Sequence, residues 1–291
     1  MELNIESKMN KQTPNLIIIG DVSYDTNKFF YENGTSEIKT NYGGSSIYAS
    51  IPASVFYRVG LVSNAGEDID IGKLREYDID LQGLHQRKNE RTTRFYNILR
   101  TKDRQERETK AEYNPNLATK FGDIRKEYLS SNHFYIATMP PTVQLDIINK
   151  LRAYNPKVII GVDTIEQYAE MEETRKVFEL VDIAFIDKEF QELLSCNAEI
   201  KIIKLGKTGC ILRQDGQDVR IYSRVIEDVV DKTGAGDCLN GVFMNLIANG
   251  YSKEEALKKA VEVATMSIKD FGIFKIKERI ELEKEYMESR D

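Results

Sequence analysis

Five short, unbroken apolar runs recur along this chain, separated by segments with helical patterning. The first is "NLIIIG" (15–20), and "NHFYIAT" (132–138), "KVIIGVD" (157–163), "VDIAFID" (181–187) and "IKIIKLG" (200–206) follow. A strand with one wet face alternates apolar and polar residues. A run without that alternation suits a strand buried on both faces. Between the runs, "TVQLDIINKLRAY" (142–154) puts Val143, Ile147, Ile148 and Leu151 on one stripe, and "EFQELL" (189–194) suits a short helix. Strand and helix in alternation predict an α/β fold, a mostly parallel sheet flanked by helices. A chain of 291 residues can bury a sizeable core of this kind.

Two segments break the rhythm. Residues 26–42 hold Asn33-Gly34 between strand-like flanks, a strong hairpin signal. Residues 92–113 read as a second hairpin turning near Lys102-Asp103. Neither has the apolar residues for a core of its own, so both are expected to form a small β lid over the open end of the main sheet. Alternation puts Arg94 and Tyr96 on one lid face and Phe95 and Asn97 on the other. Exposed lid strands have free edges, and pairing with a second copy in a homodimer is one way to cover them.

The remaining composition narrows the function. Net charge is −6, which does not favour a polyanion partner for the whole molecule. Residues 87–110 are the local exception, with nine Lys/Arg against four Asp/Glu. Only Phe95 and Tyr96 are aromatic there, so a solvated hairpin is preferred to a nucleic-acid patch. Three well-separated cysteines and two histidines leave little for a zinc site. The cysteine pattern, the polar N-terminal stretch and the lack of a long apolar run point to the cytoplasm, with no membrane partner. The expected organisation is a loose tail over 1–13 and one α/β domain over 14–291. Toward the end, "SKEEALKKAVEVATMSIKDFG" (252–272) has a Ser252/Glu255 capping box and a stripe of Leu257, Val261, Ala264 and Ile268. The final "KERIELEKEYMESRD" reads as a charged, solvated helix.

The stretch "VVDKTGAGDCLNGVF" (229–243) carries the chemistry. Leu239, Val242, Phe243 and Leu246 have helical spacing, which puts Gly234, Ala235 and Gly236 at a helix N-terminus. Free N–H groups there, together with the helix dipole, attract anions and can hold phosphate oxygens. Asp237 lies in the same first turn. It can take a proton from an attacking alcohol, or it can serve only as a favourable acid in a first helical turn. Neither a Walker P-loop nor a GxGxxG fingerprint is present.

"DKTGAGD" (231–237) resembles the C-terminal signature D-T-T-G-A-G-D of the ribokinase-like, or pfkB, carbohydrate kinases. The resemblance continues in order along most of the chain. It implies a Rossmann-like α/β domain with a β lid, and ATP- and Mg²⁺-dependent phosphorylation of a hydroxyl, with a monovalent cation as a further candidate. It makes Asp237 the general base and the Gly234, Ala235 and Gly236 amides an anion hole. "GDVSYD" (20–25) resembles the first-strand end whose final acid, Asp25, holds substrate hydroxyls. "GGSSIYAS" (43–50) resembles the Gly-Gly element, here Gly43 and Gly44. "KLGKTGC" (204–210) is similar to the T-L-G-x-x-G turn near the nucleotide, which assigns Lys204, Gly206 and Gly209. ATP is then expected to lie from that turn to a wall near Val261 and Ala264.

The departures bear on the substrate. Tyr48 stands where the family has a sugar-binding Asn, so it can pack a less polar acceptor or narrow the pocket. Lys232 replaces the second residue of D-T-T, and Lys204 replaces the usual Thr. Each can reach nucleotide phosphates or point to solvent. The N-x-x-E motif that organises magnesium-bound water reads Asp187-Lys188-Glu189-Phe190. Asp187 stands in for Asn, while Glu189 is either a displaced metal residue or surface charge. Arg91, Arg94 and Arg100 are candidates to face the cleft and stabilise transferred charge. The acceptor is expected to be a small-molecule hydroxyl: a sugar, a cyclitol such as myo-inositol, or a nucleoside. The "GG…YAS" form looks closer to the inositol-kinase-like branch than to ribokinase. The altered 187–190 motif motivates one alternative, a non-catalytic sensor on a kinase fold.

Overall fold

All five apolar runs become strands of one sheet. The computed structural model describes residues 13–31, 33–99, 107–227 and 229–288. In chain order the strands are β1 (Leu16–Ile19), β2 (Ser23–Phe30), β3 (Ser36–Gly43), β4 (Val59–Gly66), β5 (Ile79–Arg87), β6 (Thr93–Leu99), β7 (Arg107–Glu112), β8 (His133–Ile136), β9 (Ile159–Val162), β10 (Ile183–Asp187), β11 (Ile200–Lys204), β12 (Cys210–Gln214) and β13 (Gln217–Ile221). The helices are α1 (Ser45–Ser54), α2 (Pro141–Tyr154), α3 (Glu166–Ala169), α4 (Glu172–Glu179), α5 (Ala235–Ala248), α6 (Lys253–Ser267) and α7 (Ile276–Glu288).

The main sheet has nine strands in the order β13-β12-β11-β10-β9-β8-β1-β4-β5. Pairing is parallel from β5 through to β11 and antiparallel for β12 and β13. Residues on β1 alternate between two cores. Leu16 and Ile18 face a cluster that includes Ile47 of α1, Phe243 of α5 and Leu257 of α6, whereas Ile17 and Ile19 face Ile147 and Leu151 of α2 and Phe178 of α4. All of these side chains are buried, and full burial of each contributes about 1.5–3 kcal/mol. The unbroken apolar runs are therefore explained by a sheet covered on both faces.

Smaller features differ from the sequence-based expectation. Residues 191–195 form a 3-10 turn rather than a short helix, and α6 stops at Ser267, so Ile268 caps the helix instead of extending its stripe. The Ser252/Glu255 capping box is present. The last helix is not simply solvated, because Ile276 and Ile280 are buried in the core. Two expectations, the tail before residue 13 and the turn near Lys102-Asp103, lie outside the described residues.

The two irregular segments meet in a second sheet, ordered β3-β2-β6-β7. The 26–42 hairpin is β2 and β3 in antiparallel register, with Asn33-Gly34 in its turn. β6 joins β2 in parallel and β7 antiparallel to β6. Ser23, Asp25, Asn27 and Phe29 form the buried face of β2. The pairing Asp25↔Phe95 and Asn27↔Asn97 places Phe95 and Asn97 on that same face, and Arg94 and Tyr96 on the other.

β1 is the switch point of the main sheet. Its neighbours β4 and β8 belong to chain segments that run away from it in opposite directions. In open α/β sheets, ligands bind outside the carboxyl ends of strands at such a point. Gly20 and Asp21 follow β1, Ala137 follows β8 and Asp163 follows β9, the next strand beyond β8, and α5 packs against both β1 and β8.

Candidate functional site

The backbone turns into α5 at Gly234, whose φ of 74° is left-handed. A Cβ there would also stand 2.1 Å from Tyr48 Cγ, so only glycine fits. The Ala235 amide donates to the Lys232 carbonyl (3.2 Å), and Cys238 N closes the first helical bond to Gly234 O (2.8 Å). The amides of Gly234, Gly236 and Asp237 have no acceptor among the described residues. These free donors open a 14-residue helix, an arrangement that attracts anions.

Asp237 is half-buried in that first turn. Burial, and then the nearby carboxylates of Asp163, Asp187 and Asp25, raise its pKa to about 8, while Lys204 pulls it down. A carboxyl with such a value takes and releases a proton near neutral pH, as a general base must. Asp187, at the end of β10, is likewise raised by burial, with Lys204 opposing.

Lys204 points inward rather than to solvent. Its ammonium is buried and donates to Asp163 Oδ1 (2.9 Å) and Oδ2 (2.8 Å), with Asp187 Oδ2 at 3.6 Å. Burial alone would weaken its hold on its proton, but pairing with Asp163 and Asp187 strengthens that hold well beyond the ordinary value. Asn240, one turn beyond Asp237, donates to Asp163 Oδ2 (2.7 Å) and to the Tyr135 hydroxyl (2.9 Å). Sequence reasoning missed Asp163 and Asn240. The position of Asp163 just past an apolar strand was the available signal.

Asp25 lies on the buried face of β2 and is 4% exposed. Ser23 Oγ donates to its Oδ1 (2.8 Å), and the Tyr48 hydroxyl to its Oδ2 (3.4 Å). Gly43 pairs across β2–β3, and a Cβ on it would meet Asp25 Cγ at 2.1 Å, so the glycine leaves room for the acid. Gly44 caps α1. Tyr48 is 3% exposed, its ring against Gly234 and its hydroxyl at Asp25, so it underlies the site and joins its two halves.

A polar chain, buried except at its Thr109 end, connects the loop before α5 to the second sheet. Asp231 Oδ1 accepts from Thr233 N (3.0 Å), and its Oδ2 accepts from Asn27 Nδ2 (3.1 Å). Asn97 Nδ2 donates to Asn27 Oδ1 (2.7 Å), and Thr109 Oγ1 donates to Asn97 Oδ1 (2.9 Å).

The other expected residues are more scattered. Gly206 opens the turn between β11 and β12, and Gly209 closes it, packed on the Ile221 carbonyl. Val261 is core, Ala264 half-buried, and Lys232 exposed. Glu189 is exposed, with its carboxylate 3.7 Å from Lys188. Arg94 faces away from Asp25. It donates to Asp68 Oδ2 (2.6 Å) and lies over the Tyr24 ring, which corrects the expectation that it faces the cleft. Arg91 is exposed, and Arg100 lies outside the described residues. Among the described residues no group of three His, Cys, Asp or Glu is arranged to hold a metal ion, and no helix is long and apolar enough to cross a membrane. One cavity of about 320 Å³ lies beside Asn15, His133 and Ala248. It sits at the far end of α5 from Asp237 and carries none of this chemistry.

The nine-strand sheet, its flanking helices and the smaller second sheet define a ribokinase-like α/β fold. A ribokinase from Arabidopsis thaliana, solved with ribose and ATP, superposes with a TM-score of 0.72 at 17% identity over 93% of this chain and 98% of that one. A nucleoside kinase from Burkholderia thailandensis, solved with inosine, gives a TM-score of 0.76 at 14% identity over 93% of this chain and 98% of that one. Among curated proteins, a cytidine kinase from Thermococcus kodakarensis is 25% identical over 282 residues, 90% of this chain and 98% of the relative. The chain belongs to the pfkB family of carbohydrate kinases, whose family model matches residues 13–275. It is a phosphotransferase with an alcohol acceptor. These matches do not single out an inositol-kinase branch.

Proposed function

We propose that this kinase transfers the γ-phosphate of ATP to a ribose hydroxyl of a nucleoside, with Asp237 as the general base. The observation that carries the reading is Asp237 itself, a carboxyl tuned to about 8 in the first turn of a helix where the Gly234, Gly236 and Asp237 amides are free. Asp237 takes the proton of the acceptor hydroxyl. The Gly234 and Gly236 amides and the helix dipole hold the oxygens of the phosphoryl group in transfer. Asp25, on the buried face of the second sheet, orients a neighbouring hydroxyl.

A neutral, planar acceptor suits the surroundings. Asp21, after β1, is raised by burial to about 6, and its charge is felt by Tyr113 and Tyr168. Phe95 lies opposite Asp25 on the same face. Aromatic rings favour a base, and the acids disfavour an anionic sugar, because Arg94 is committed to Asp68. The cytidine kinase relative supports the same class. The second sheet serves as the lid that excludes water. Its edge strands, β3 and β7, are where a second copy would pair.

The donor set also fits magnesium that arrives with the nucleotide. Three carboxylates, Asp163, Asp187 and Asp237, face one ammonium, Lys204, so a bare triphosphate would be repelled. Mg²⁺ keeps several waters and takes phosphate oxygens, and it needs no all-protein cage. Asp187, with Glu189 beyond it, would hold its water shell. When bound, the ion neutralises phosphate charge.

The test is to incubate the pure protein with ATP, Mg²⁺ and pools of nucleosides, sugars and cyclitols. Cytidine-dependent ADP formation that Asp237→Asn abolishes is the expected result. ADP formation with sugars or cyclitols alone would overturn the acceptor class. Saturable binding without turnover would favour the sensor.

A further inference from the structure

Lys204 occupies an unusual place for a lysine. Its ammonium is nearly sealed from water, yet a Cβ built on Gly236 would come within 3.6 Å of its Nζ. It therefore lies directly under the backbone that opens α5. Asp163 clamps it with both carboxylate oxygens, and Asp163 is in turn fixed by Asn240 Nδ2 (2.7 Å) and by the Thr164 amide (2.8 Å). Such a clamp removes most of the side chain's rotational freedom, so the charge is positioned before any ligand arrives.

We propose that Lys204, clamped by Asp163, is a positioning residue for the transfer reaction: a fixed internal cation beneath Gly234–Gly236 that orients and charge-balances Asp237 and faces the incoming phosphate. This rests on the reading of Asp237 as the base.

The charges around Asp237 come from five strands. Asp25 approaches from β2, Tyr135 from β8, Asp163 from just beyond β9, Asp187 from β10 and Lys204 from β11. Lys204 is the single cation in that set. The three neighbouring carboxylates all favour protonated Asp237, and Lys204 opposes them. Without the ammonium, Asp237 binds its proton more tightly, and the base form appears only at higher pH. Each pH unit of that shift lowers activity about tenfold at pH values below the inflection.

The experiment is the pH dependence of kcat/KM for the acceptor between pH 6 and 10 at saturating ATP, for the wild type, Lys204→Met and Lys204→Arg, with thermal unfolding in parallel. The inflection is expected to move up by about one pH unit or more in Lys204→Met and to stay in place in Lys204→Arg, which keeps the charge. A Lys204→Met enzyme with lower Tm and lower activity but an unmoved inflection would reduce Lys204 to a structural role and overturn the proposal. Should that variant fail to fold, the double variant Lys204→Met/Asp163→Asn also neutralises the carboxylate that clamps Lys204. Its plateau kcat is expected to stay at least about tenfold below wild type, and a wild-type plateau would refute the proposal. The two readings fail separately. Near wild-type turnover in Asp237→Asn removes the base, whereas an inactive Asp237→Asn with an unmoved Lys204→Met inflection removes only this inference.

Discussion

Replacing Asp237 with asparagine should trade stability against activity in a way that depends on pH. Folding raises the pKa of this carboxyl from its usual 3.8 to about 8, so between those values the native state holds a proton that the unfolded chain has released. Stability must then fall as pH rises through that window, since the unfolded state binds fewer protons there. At about 1.4 kcal/mol per pH unit, the ceiling on this penalty is about 6 kcal/mol. Asp237 is only half-buried and water reaches it, so screening reduces the expected effect to about 1–2 kcal/mol. An asparagine side chain at this position would have the same shape and no charge to bury. The variant should therefore melt at or below wild type at pH 4–5 and about 2–5 °C above it at pH 8.5. The same variant should lose roughly 10²–10⁴-fold in kcat. Thermal unfolding by circular dichroism across pH 4–9 measures the first quantity, and coupled ADP detection the second. A stability difference between the two proteins that does not change with pH would refute the claim that Asp237 is strained by its surroundings.

Three further outcomes follow from other contacts. Gly234→Ala places a Cβ 2.1 Å from Tyr48 Cγ at a left-handed position, which should cost about 1–3 kcal/mol from backbone strain alone; a denaturant midpoint equal to wild type would contradict it. Asn97→Ala leaves Asn27 and Thr109 without their buried partner, which should cost about 1–3 kcal/mol and raise KM for the acceptor, as steady-state kinetics would show. Arg94→Gln removes an ion pair with Asp68 on the outer face of the second sheet, so Tm should drop slightly, by the about 0–1 kcal/mol of such pairs, with kcat within twofold of wild type; a large fall in kcat would place Arg94 back in the cleft.

What could be read in advance depended on how local each cause is. The parallel strands were legible because a strand buried on both faces must be apolar throughout, and each run declares this without reference to any other. The Asp215-Gly216 hairpin between β12 and β13, both residues at positive φ, carried an equally local signal that the sequence reading passed over. Helix α1 was hidden for a different reason: nearly all of "SSIYASIPAS" is buried and Pro52 lies inside it, so no amphipathic stripe appears. The start of α5 could be read from the helical spacing of Leu239, Val242, Phe243 and Leu246. The Lys204–Asp163 pair could not, because it forms only once β9, β10 and β11 lie side by side. The inward face of the second sheet was equally hidden, since it follows from the parallel register of β2 with β6, two strands more than sixty residues apart.

The hydrogen-bonded chain running from Thr109 through Asn97 and Asn27 to Asp231 ties the second sheet to the loop that leads into α5. Parting Asn27 from Asp231 would leave this buried acid short of a partner, at a cost of about 1–3 kcal/mol. The second sheet and the turn into α5 are thus held in one arrangement by four side chains, drawn from β2, β6, β7 and the loop before α5.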